Sequence, residues 1–132
     1  MRSSASRFQL FVFTLLAIVC SWAAITGNIS GIVTDSTGAV VAGASVTAIN
    51  TQTGVKTTVN TDSKGFYSLP VLDVGNYDLE ISQTGFKTYR QTGLVINANS
   101  ALKVDATLTV GTATEKIEVR TEHVHNQQEL RY

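Results

Sequence analysis

Leu102, Val104, Ala106, Leu108 and Val110 alternate without a break against Lys103, Asp105, Thr107 and Thr109. Successive side chains of a strand point to opposite faces, so this pattern predicts one strand with a dry and a wet side. Tyr77, Leu79 and Ile81 alternate in the same way with Asp78 and Glu80, which predicts a second such strand over residues 77–82. Weaker versions recur along the chain. Ile25, Ile29 and Val33 share a parity with Gly27 and Gly31, giving a strand near 25–34, and Ala44, Val46 and Ala48 give another over 44–50. Residues 55–60 (VKTTVN) read as a Thr-rich strand at a sheet edge, and 66–69 as a strand that stops at Pro70, leaving 71–75 as a loop. A sixth strand is expected over 86–92, continued by 94–97 after Gly93. Phe86 and Tyr89 have opposite parity there, so one faces out or a bulge intervenes. The long alternating run is the seventh strand, and 115–120 (EKIEVR), with Ile117 and Val119 inward, is the eighth.

Turn residues punctuate these runs. Asp35-Ser36-Thr37-Gly38 and Asp62-Ser63-Lys64-Gly65 each offer a carboxylate to nearby amides and a glycine that accepts positive φ. Gly75 and Gly85 bracket the 77–82 strand, so Gly38, Gly65, Gly75 and Gly85 are read as structural turn glycines. Beyond the N-terminal run described next, no stretch shows helical spacing. Short strands separated by turns predict an all-β sandwich of seven to eight strands.

The N-terminus follows a different pattern. Arg2 and Arg7 precede residues 8–20 (FQLFVFTLLAIVC), and Ser21-Trp22-Ala23 places small residues at −3 and −1. Basic, apolar and small-residue regions in that order predict a secretory signal, a signal helix over residues 1–23 with cleavage after Ala23. The run is short for a membrane span, where roughly 20 apolar residues are usual. A retained anchor and a lipoprotein acylated at Cys20 are the competing readings, although Val19 stands where a lipoprotein signal has Gly or Ala. The sandwich is then expected over 24–120 and a flexible tail over 121–132.

Ten Lys and Arg balance ten Asp and Glu, and removal of Arg2 and Arg7 leaves a slight acidic excess. With no basic surplus to neutralise phosphates, nucleic-acid binding is not expected. Trimming at Ala23 also removes the single cysteine, so no disulfide is expected despite export.

Candidate chemistry is sparse. His123 and His125 are the only histidines; two apart on an extended segment they could chelate a metal, but they fall in the expected tail. A serine nucleophile needs a base within reach, and no such pairing is visible. Asp78 and Glu80 share a strand face and read as its wet side. The Asp35 and Asp62 turns carry one carboxylate each, too few for calcium. A Lys–Asn isopeptide could draw only arbitrarily on Lys56, Asn97 and Glu80. No catalytic residue, metal or cofactor is expected. Phe66, Tyr67 and Tyr89 are candidate ligand-contacting aromatics: neighbours on a strand face opposite ways, so one ring of Phe66-Tyr67 is expected outside, while core packing accounts for most of the rings.

Asp35…Gly38…Val40…Gly43-Ala44…Val46, then Thr61-Asp62…Gly65-Phe66-Tyr67…Leu69, then Gly75…Tyr77…Leu79 and Gly85-Phe86, resemble in order the carboxypeptidase regulatory-like domain. The resemblance covers residues 25–119. It implies a Greek-key sandwich of the transthyretin (prealbumin-like) kind, grouped with carbohydrate-binding folds. It also implies a place at the N-terminus of TonB-dependent outer-membrane receptors, directly after the signal. Two departures stand out. The loop before Gly75 has Leu72-Asp73-Val74 where the family usually has a proline, and residues 121–132 leave no room for a plug and barrel. The peptidase domain that gave the family its name has no counterpart. The expectation is an exported, non-catalytic module, periplasmic, outer-membrane associated or secreted, stand-alone or a truncated receptor N-terminus. It would meet a protein partner through edge-strand pairing or bind receptor components, and touch a membrane only through an uncleaved signal. The alternative is a polysaccharide-binding module using exposed aromatics.

Overall fold

The alternating runs become strands in two facing layers. The structure, a computed structural model, describes residues 23–112 and 116–121. In these, β1 (Thr26–Asp35), β2 (Ser45–Asn50), β3 (Lys56–Asn60), β4 (Phe66–Asp73), β5 (Gly75–Ser82), β6 (Thr88–Ile96), β7 (Ala101–Lys103), β8 (Ala106–Leu108) and β9 (Lys116–Arg120) follow one another with no helix between them. One sheet has β4 antiparallel to β1, with β7 and β8 end to end and parallel along β1's other side. The second has the order β3-β2-β5-β6-β9, antiparallel except for the final β6–β9 pair. The expected signal helix and its cleavage site through Trp22, and the tail beyond Thr121, lie outside the described residues.

The core lies between the sheets where parity put it. Ile29 and Val33 of β1, Val46 of β2, Leu69 of β4, Leu79 and Ile81 of β5 and Leu108 of β8 are fully buried. Each such side chain contributes roughly 1.5–3 kcal/mol on leaving water. Ile25 falls outside this set, exposed just before β1.

Four expectations change. Strand β4 does not stop at Pro70 but runs to Asp73, so 71–75 is not a loop and only Val74 separates β4 from β5. The reason is position. Val33 N–H donates to the Gly65 carbonyl at 2.8 Å, which makes Gly31–Tyr67 and Ile29–Leu69 the next bonded pairs and turns residue 70 away from β1. A proline without an amide proton costs nothing on that outward side of an edge strand. The register then shifts, with Pro70 and Val71 opposite Asn28, a β-bulge that places Val71 at φ +57°.

The long 102–110 run is two strands, not one. Val104 N–H donates to the Ser30 carbonyl at 2.8 Å, and Asp105 Oδ1 accepts from Ile32 N–H at 2.9 Å. A side-chain carboxylate thus takes the place of a backbone acceptor between β7 and β8. Val104, Ala106 and Leu108 keep the inward parity, Leu102 packs partly buried against the core, and Val110 ends exposed.

The sixth strand continues past Gly93 as expected, but β6 begins at Thr88 rather than at 86, and a register shift sets Thr92 and Gly93 opposite Asp78. Phe86 lies before it in an isolated bridge to Val110 and packs half-buried against the core, while Tyr89 is buried. In β9, Ile117 is half-buried but Val119 is exposed, contrary to its expected inward face.

Candidate interaction surfaces

The two Asp-Ser-x-Gly segments fold into the same turn. Asp35 Oδ1 accepts from Thr37 Oγ1 (2.6 Å), Thr37 N (2.8 Å) and Ala39 N (3.1 Å). Asp62 Oδ1 accepts from Lys64 N (2.8 Å) and Phe66 N (3.0 Å). Gly38 and Gly65 close the turns by donating to the Asp35 and Asp62 carbonyls. The Thr37 hydroxyl and then its amide hold the Asp35 carboxyl below the usual 3.8. Both carboxylates are therefore spent on their own turns, as the turn reading required. A Cβ on Gly65 would sit 2.7 Å from the Val33 carbonyl, and its φ of +73° suits glycine alone. Gly38, Gly75 and Gly85 also have positive φ.

The candidate aromatics separate. Tyr67 is 1% exposed and its hydroxyl donates to the Val104 carbonyl at 2.5 Å. Burial, and secondarily Asp105, pushes its phenol far above the ordinary 10.0. Tyr89 is buried with its hydroxyl 3.0 Å from Gln91 Oε1, and burial raises its phenol too. Neither offers a ring face to a ligand. Phe66 does: it is 44% exposed on the outer face of the four-stranded sheet. Its cross-strand partner is Ile32, also exposed, and they lie between two bonded pairs, where opposed side chains approach closest.

The outer face of the other sheet is charged. Arg90 Nη2 meets Asp78 Oδ2 at 2.7 Å, and Lys116 Nζ lies 3.8 Å from Glu80 Oε2. The bond to Asp78 raises the Arg90 guanidinium above its usual value. Asp78 and Glu80 are thus ion-pair partners on a wet face. Lys56 and Asn97 are exposed, so they form no buried pair with Glu80. Among the described residues, no three His, Cys, Asp or Glu side chains are grouped to hold a metal. His123 and His125 lie outside those residues.

The sheet edges differ in kind. Along β4 the Phe66 backbone is taken up by Asp62, Pro70 has no donor, and the Val71 bulge breaks the line. Strands β7 and β8 have three residues each. Strand β9 is lined by Lys116, Glu118 and Arg120. Strand β3 has none of these protections except Lys56. Asn50 N–H donates to the Val55 carbonyl and Thr61 N–H to the Ala44 carbonyl. By alternation, Thr57 and Val59 bond to β2, while Lys56, Thr58 and Asn60 turn their backbone groups outward. The expected edge position of this strand holds. Sequence reading could not see that the other edges are blunted, because a bulge and a pairing order leave no local signal.

A two-sheet body with one plain open edge, one exposed Phe66–Ile32 pair and a charged opposite face defines an all-β sandwich domain. The chain belongs to the carboxypeptidase regulatory-like domain family, whose model matches residues 28–109. No curated protein matches it. Among solved structures it is similar to a proposed carbohydrate-binding protein from Bacteroides uniformis, at 18% identity and TM-score 0.52 over 63% of this chain and 41% of that one. It is similar to a chain of a type II cohesin–X-dockerin complex from Acetivibrio cellulolyticus, at 22% identity and TM-score 0.51 over 64% and 58%. Catechol 1,2-dioxygenase from Acinetobacter radioresistens also matches, at 12% identity and TM-score 0.52 over 75% and 58%. The chain spans between about two-fifths and three-fifths of these structures. At such identities the likeness is one of fold.

Proposed function

We propose that this protein is an exported, non-catalytic β-sandwich module that binds a protein partner by strand addition at β3, within a TonB-dependent outer-membrane transport system. The open, regular edge at Lys56, Thr58 and Asn60 is the observation that supports it. An extended segment laid along this edge gains backbone hydrogen bonds, while the outward side chains select it. The likeness to a cohesin–dockerin chain supports an interaction role, and the family resemblance and the apolar residues 8–20 support export and the transport setting. A photo-crosslinker at Thr58 in the exporting cell should capture an outer-membrane transport component, whereas one at Ser68 on the blunted β4 edge should not. With the crosslinker moved to Lys56, Thr58→Pro should abolish capture without unfolding, because the Thr58 amide faces away from β2. Equal capture from both edges, or peptide or ester hydrolysis by the purified protein, overturns the reading.

The exposed Phe66–Ile32 pair favours a second reading, polysaccharide binding through a single ring platform. Retardation on polysaccharide-containing native gels, lost in Phe66→Ala, is its signature; unretarded migration of the folded protein removes it.

A further inference from the structure

The two ends of the sandwich are chemically unlike. One end is built from residues 23–26, 51–55, 71–76 and 95–101. These are tied together by the Thr26–Asp73 and Asn76–Val95 pairings and by the Thr51 N–H to Asn76 carbonyl and Asn99 N–H to Thr26 carbonyl bonds. In those segments Asp73 is the single charged residue. The opposite end, residues 35–43, 61–65, 83–87 and 109–111, carries Asp35, Asp62, Lys64 and Lys87. The charge-poor end exposes Ile25, Val55, Val71, Val74 and Val95, half of the large exposed apolar side chains found among the described residues, against Val40 and Val110 at the charged end. Val71 is 72% exposed and held in the left-handed region, which β-branched residues avoid. The bulge opposite Asn28 holds it there, and strain of that kind clusters at functional sites. The apolar run 8–20 also joins the fold at this end, since Ile25 precedes the first residue of β1.

We infer that this end is a lipid-facing surface, lying on the bilayer that receives residues 8–20, with Ile25, Val55, Val71, Val74 and Val95 at the headgroup boundary. Branched aliphatic side chains with almost no charge among them suit that depth, and residues 8–20, where they are retained as an anchor, would supply the proximity that so small a patch lacks alone. The opposite, charged end then faces water. This goes beyond strand addition at β3 and does not depend on it; it rests on residues 8–20 being kept as an anchor rather than cleaved after Ala23.

The full chain, with Cys20→Ser and a polarity-sensitive fluorophore at Val71→Cys, Val95→Cys or Val40→Cys, is reconstituted in phosphatidylethanolamine–phosphatidylglycerol vesicles carrying acyl-chain quenchers. Val40 lies exposed near the opposite end and serves as the control. Labels at Val71 and Val95 should shift to the blue and be quenched several-fold more than the label at Val40. Equal quenching at both ends means the body tumbles freely on its tether and overturns the inference. So does a blue shift at Val71 that grows with protein concentration at fixed lipid, which identifies a second copy as the occupant. The two rim positions guard against one variant misfolding, and crosslinking at Thr58 should persist whichever way the lipid result falls.

Discussion

The hydroxyl of Tyr67 reaches across from β4 to the Val104 carbonyl, at the point where β7 gives way to β8. That carbonyl sits over Gly31, with the Tyr67 ring on its other flank. One bond therefore fixes the broken strand pair against the centre of the sheet. Tyr67→Phe keeps the ring and removes the donor, leaving a buried carbonyl short of its partner. The expected loss is about 1–3 kcal/mol, read as a lower urea midpoint with unchanged slope.

Gly31 is constrained by space rather than by φ. A Cβ there would overlap the Val104 carbonyl carbon and oxygen, which are backbone and cannot rotate away. Gly31→Ala should cost about 3 kcal/mol and loosen β8 from β1. Hydrogen exchange at the β8 amides should rise more than at those of β2.

Val71 makes the opposite prediction. Its φ of +57° is tolerated far better by asparagine, and its side chain is exposed. Val71→Asn should raise stability by about 1 kcal/mol in the same urea titration.

Stability should fall off at both pH extremes for identifiable reasons. The Asp35 carboxyl is lowered in the folded state, so its stabilising effect is full above 3.8 and disappears as pH drops through the lower folded value. Asp35→Ala should be less stable than the parent at neutral pH, with the gap closing below the ordinary aspartate range. Tyr67 is raised, so its contribution is full below 10.0 and is lost as pH climbs above that. Ultraviolet titration of phenolate should show Tyr67 ionising together with alkaline unfolding rather than before it.

The alternation of 77–82 and the two Asp-Ser-x-Gly turns were legible because they are local: parity and a five-residue hydrogen-bond pattern suffice. The break at Val104–Asp105 was not. Two collinear strands keep the parity of one, and the Asp105 carboxylate that interrupts them bonds to Ile32, far off in sequence. Pro70 misled for a related reason, since whether a proline ends a strand depends on which side its missing proton would face. Of the three candidate aromatics, the opposition of Phe66 and Tyr67 followed from parity. The burial of Tyr89 depended on the Thr92–Gly93 bulge, which a lone glycine only hints at.

Strand β1 is the first to be synthesised and lies inside its sheet, between β4 and the β7–β8 pair. Its far side stays unpaired until residues 101–108 are available, so a loop among the longest in the domain closes late in synthesis. High contact order of this kind slows folding relative to hairpin-built sheets. A chain threaded through a secretion channel N-terminus first would consequently remain unfolded for most of its passage, the state in which translocation is mechanically easiest.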